Sequence, residues 1–119
     1  METLMKQTDL LEAFQHTAFV IKTQQQLIKD FNLAGIELNG VHVEDAMSYD
    51  SLLTSIKTPV EHCFQHDFAG LTNLFYILDL PQSLVDTQLT DEHPAEKLAE
   101  LILARAAFKV FLKQKFSGE

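Results

Sequence analysis

The chain has 119 residues, 46% of them hydrophobic and nine of them phenylalanine. That is enough apolar surface for one core over residues 1–119, and too much for intrinsic disorder in spite of a net charge of -8. Between Asp30 and Glu96 the single base Lys57 faces twelve carboxylates, counting both ends, which argues against nucleic acid because a phosphate backbone needs clustered cations.

Cys63 is the only cysteine, so no intrachain disulfide can form and a reducing, cytoplasmic setting is expected. No stretch reads as a secretory signal or as a membrane span, since the run Leu101 to Ala104 stops at Arg105.

The first predicted element is a long helix. Thr8 and Asp9 offer capping side chains, Leu10, Phe14, Ala18, Ile21, Ile28 and Phe31 share one face, and Gly35 supplies a stop. Thr17 and the run Gln24 to Gln26 interrupt that stripe, and Phe19 falls on its polar side. Over residues 36–43 the period changes to two. Ile36 and Leu38 alternate with Glu37, Val41 and Val43 with His42, and Asn39-Gly40 lies between. This pattern reads either as a two-stranded hairpin or as an extended loop packed on the helices.

Asp50 or Ser51 can cap a short helical turn over Leu52, Leu53 and Ile56. Thr58-Pro59-Val60-Glu61 then combines a cap, a first-turn proline and a capping-box glutamate, which predicts a second long helix from Pro59 to about Asp79. Gly70 in its interior costs about 1 kcal/mol relative to alanine. Pro81 opens a short helix carrying Leu84, Val85 and Leu89. Thr90 or Asp91 caps the last helix, with Pro94 in its first turn and Gly118 as its stop. The sum is an all-α, mostly antiparallel bundle of about five helices.

Two charges stand in apolar stripes. Arg105, the only arginine, lies among Leu98, Leu101, Phe108 and Leu112, and Asp67 lies among Val60, Phe64, Leu71, Leu74 and Leu78. Because an isolated buried charge is costly, the two are expected to form a buried ion pair across a helix interface, bringing Phe64 to Phe108 and Leu71 to Leu101. Asp79 and Asp86 are the alternative partners. A free guanidinium would instead suit a carboxylate or phosphate ligand. Arg105, Lys109, Lys113 and Lys115 late in the last helix, with Glu92, Glu96 and Glu100 at its start, follow the helix dipole.

The last helix is also apolar behind its main stripe, at Leu103, Val110 and Phe111, with Ala104, Ala106 and Ala107 allowing close approach. Such a helix is either central in its bundle or buried at an interface. The reading favoured here is a homodimer whose interface contains Leu103, Ala107, Val110, Phe111 and Phe19.

His62 and His66 have the i, i+4 spacing of a shared metal site, with Cys63 and Asp67 beside them, and a third ligand would have to come from His16, His42, His93 or a carboxylate. No phosphate loop, dinucleotide fingerprint or nucleophile elbow occurs. The sequence therefore points to a small soluble protein-interaction domain, self-associating or bound to another protein, without a cofactor. The alternative is a metal- or small-anion-binding domain that uses His62 and His66 or Arg105.

Overall fold

The computed structural model describes residues 4–117, and among them it contains six helices and no strand. They are α1 (Gln7–Ala13), α2 (Thr17–Leu33), α3 (Tyr49–His66), α4 (Phe68–Leu78), α5 (Gln82–Leu89) and α6 (Pro94–Ser117). The all-α bundle holds, but three helix boundaries differ: the first expected helix is broken at residues 14–16, Pro59 starts none, and the helix expected from Pro59 to about Asp79 is split at Asp67.

The first is a break at residues 14–16 in what the sequence presents as one helix. Phe14 leaves the helical path and packs edge-on against Tyr49, with ring centroids 5.5 Å apart. The break rotates the inward face of α2, so that Phe19, Val20 and Leu27 are buried while Ala18 is exposed. It also lets α1 fold back, placing Leu10 with Phe19, Ala107 and Val110 in a small cluster of their own. At its other end α2 stops where expected. Gly35 takes φ 75, its N–H donates to the Asn32 carbonyl at 3.0 Å, and the Ile36 N–H donates to Phe31 at 2.9 Å, a Schellman closure that glycine makes without steric cost.

The second boundary is Pro59, which does not begin a helix but lies inside α3. Proline returns no N–H to Ser55, and an interior proline costs a helix about 3 kcal/mol. Leu52, Ile56, Val60 and Cys63 form one continuous buried stripe across it, and burying each aliphatic side chain contributes about 1.5–3 kcal/mol, so packing outweighs the local signal. The helix begins with Ser48, whose Oγ accepts from the Ser51 N–H at 3.1 Å, and it ends at Asp67. There the chain turns a corner, and the Asp67 carboxylate accepts the Gly70 N–H at 3.0 Å as the cap of α4. Gly70 suits this turn because a Cβ there would lie 2.5 Å from Asp67 Oδ2.

Between α2 and α3 there is no hairpin. Asn39-Gly40 forms a turn without a ladder, and the alternation arises because Ile36, Leu38 and Val41 reach into the core from an extended loop. The loop's polar backbone is satisfied by a side chain. Gln24, fully buried on α2, donates Nε2 to the His42 and Asp45 carbonyls and accepts the Met47 N–H at 2.7 Å. Gly40 lies against α3, where Ser55 Oγ donates to its carbonyl at 3.3 Å.

Pro81 precedes α5, and Pro94 is the first residue of α6, as the sequence indicates. Asp91 Oδ1 accepts the His93 N–H at 3.0 Å just before that start. The expected stop at Gly118 lies outside the described residues. From Leu98 to Val110, α6 is buried on nearly all sides, and α1 to α5 each pack against it.

Because Gln24 replaces a hairpin ladder, Gln24→Leu should lower stability by about 1–3 kcal/mol through the loop groups it strands. Denaturant unfolding checks the loss, and amide exchange at Met47 should accelerate in the same variant.

Candidate functional site

Arg105 and Asp67 do not pair. Arg105 donates Nε to the Leu78 carbonyl at 2.8 Å, its Nη2 lies 3.7 Å from Asp79 Oδ2, and its guanidinium sits 5.8 Å from the Phe108 ring centroid. It therefore closes the C-terminal end of α4, where a cation suits the exposed carbonyls. Asp67 lies at the opposite end of the same 11-residue helix, about 16 Å away at 1.5 Å per residue, and is exposed. Asp79, the alternative partner in the sequence, is the one used. Its side chain is 93% exposed, so this is a surface-anchored contact, and the inter-helix register inferred from Asp67 falls with it.

A buried ion pair does exist, between α2 and α6. Asp30 is 1% exposed and lies 3.0 Å from Lys109 Nζ. Gln26 donates Nε2 to both Asp30 oxygens at 3.0 and 3.1 Å, and its Oε1 accepts Lys113 Nζ at 2.6 Å. Gln26 and Asp30 are four apart on one helix, and Lys109 and Lys113 are four apart on the other. This matched spacing was available in the sequence, but the apolar stripe of a continuous first helix hides it. The cluster is structural, with its carboxylate and amide already matched inside the fold.

His62 and His66 do stand side by side, with ring centroids 5.0 Å apart, on the exposed side of α3. Among the described residues no group of three or more His, Cys, Asp or Glu is placed to hold a metal ion. Of the two, His62 borders a cleft of 700 Å³ with Thr54, Ser55, Thr58 and Asp67. Cys63, also in this cleft, is buried; burial first, and the Asp67 charge second, push its thiol above the usual range. A thiol so placed is protonated near neutrality and is a poor nucleophile.

The expected dimer face is mostly spent inside the chain. Leu103, Ala107, Val110 and Phe19 are all buried: Leu103 lies in the main core, while Ala107, Val110 and Phe19 are covered together with Leu10 where α1 folds over α6. The sequence offered two explanations for an all-round apolar helix, and centrality in its own bundle is the one that accounts for these four positions. Phe111 alone remains open, at 41% exposure.

Phe111 forms one wall of a groove of 470 Å³ between α1, the start of α2 and the C-terminal half of α6. Its ring stacks on Phe108 at 6.1 Å and 19°, and Phe19 and Met5 continue the apolar lining. Ala13 and Ala18 are small where larger residues would fill the space. Asp9, Glu12, His16 and Gln114 supply its polar lining, and no lysine or arginine is among the described residues that line it. Comparison with known protein families, curated proteins and solved structures gives no match for this chain.

Lys109→Met should cost about 3–5 kcal/mol by stranding the Asp30 carboxylate, and adding Asp30→Leu should recover most of that loss. Asp67→Ala should cost about 1 kcal/mol as a lost cap and add independently to Arg105→Met. Denaturant unfolding of single and double variants measures both sets.

Proposed function

We propose that this chain is a small, soluble, cytoplasmic protein-interaction domain that docks another protein in the groove between α1, α2 and α6. The observation carrying this reading is the stacked Phe108–Phe111 pair, whose outer ring stays 41% exposed beside a cavity large enough for two or more apolar side chains. Aromatic anchors in a partly desolvated pocket are where binding energy concentrates.

The competing metal or anion reading has less behind it. The histidine pair lacks a third protein ligand among the described residues, and Arg105 is engaged with the end of α4. Self-association loses most of its basis once Leu103, Ala107 and Val110 are buried by the chain's own helices, and two chains of charge -8 repel each other at long range. A lone buried thiol fits the reducing setting.

The test compares proteins retained from native cell extract by the wild-type chain, by Phe111→Ser and by Tyr76→Ser, a substitution at an exposed aromatic on α4. The reading expects a partner kept by the wild type and Tyr76→Ser and lost by Phe111→Ser, with the chain alone scattering light as a monomer. Equal retention by Phe111→Ser, or a concentration-dependent dimer abolished by that substitution, contradicts it.

A further inference from the structure

Resting on that docking reading, we infer that the occupant of the groove is a cationic amphipathic helix, a segment that inserts apolar anchors one turn apart and lays Lys or Arg along the α1 lip. The lining residues on α6 run from Phe108 to Gln114, about 9 Å along the helix axis. That length accommodates i and i+3 or i+4 anchors, which lie about 4.5–6 Å apart along a docked helix. Phe19, Phe108 and Phe111 supply apolar contact, while Ala13 and Ala18 keep the space open.

Charge selects among helices. Asp9 and Glu12 are three apart on α1, so they lie on one face of that helix and along one side of the groove. Both are exposed, and neither has an ion-pair partner among the described residues. No lysine or arginine among the described lining residues offsets them, and the chain's net charge of -8 adds attraction at longer range. An anionic membrane surface would be repelled by the same lip, and an acidic helix would bring like charges together.

The probes are a short Leu/Lys amphipathic peptide and its Leu/Glu counterpart, titrated into the full-length isotope-labelled chain by NMR. The Leu/Lys peptide should shift the amides of Phe19, Phe108 and Phe111 and bind at least about tenfold tighter than Leu/Glu. Asp9→Lys with Glu12→Lys should weaken Leu/Lys binding by about tenfold or more, whereas Glu61→Lys with Glu92→Lys, the same change in net charge elsewhere, should alter it less than about threefold. Equal weakening by both double variants, or shifts outside the groove, overturns the inference. Groove binding of both peptides with equal affinity, lost on Phe111→Ser, also overturns the charge selection but leaves the docking reading standing. If neither peptide moves the groove amides, the helical occupant is wrong, and the extract comparison decides the docking reading separately.

Discussion

A helix with apolar residues on every side must be covered on every side, and α6 imposes that constraint on the rest of the chain. Leu98, Ile102 and Ala106 are covered within the main core, and Ala107 and Val110 by the small cluster containing Leu10 and Phe19. Covering both faces with one short chain requires the N-terminal segment to pass around α6. A straight helix from residue 7 to residue 33 cannot do so, and the break at residues 14–16 supplies the turn. The groove follows from that break. Where α1 bends away from α2, Ala13 and Ala18 leave a space that Phe108 and Phe111 border from α6.

The polar interior serves the same arrangement. Lys109 and Lys113 reach from α6 to Asp30 and Gln26 on α2, so α2 docks in one register with a buried carboxylate neutralised. Such a pair adds little over a hydrophobic isostere, and its effect lies in penalising any shifted alternative that leaves Asp30 alone. Gln24, on the same helix, fixes the loop toward α3 by three hydrogen bonds. Thus the glutamines that weaken the apolar stripe of α2 are the residues that join it to its neighbours.

Much of the fold was legible where a residue's chemistry acts locally. Gly35 ends α2 because glycine takes the left-handed closure without steric cost, and Pro94 begins α6 because its fixed φ suits a first turn. Pro59 misled because a stripe of four buried residues outweighs one proline. The break at residues 14–16 carries no glycine or proline, so nothing in Phe14-Gln15-His16 announced it. With that break missed, Phe19 fell on the wrong face, and the second apolar face of α6 seemed to need another molecule. Arg105 drew the attention that belonged to Asp30: a guanidinium at a helix terminus finds a carbonyl, whereas a carboxylate at 1% exposure demands a cation. Of the candidate site, sequence reasoning reached Phe19 and Phe111 but missed the acidic lip of Asp9 and Glu12, which exists only once α1 is folded back.

Whether the chain covers α6 by itself is open to direct measurement. In a sample mixing isotope-labelled and unlabelled chains, nuclear Overhauser contacts between the methyl groups of Leu10 and Val110 report whether the contact lies within one chain or between two. The account predicts strong contacts of purely intramolecular origin. Contacts that appear only between differently labelled chains, or none at all, would contradict it and return the second face of α6 to a neighbouring molecule.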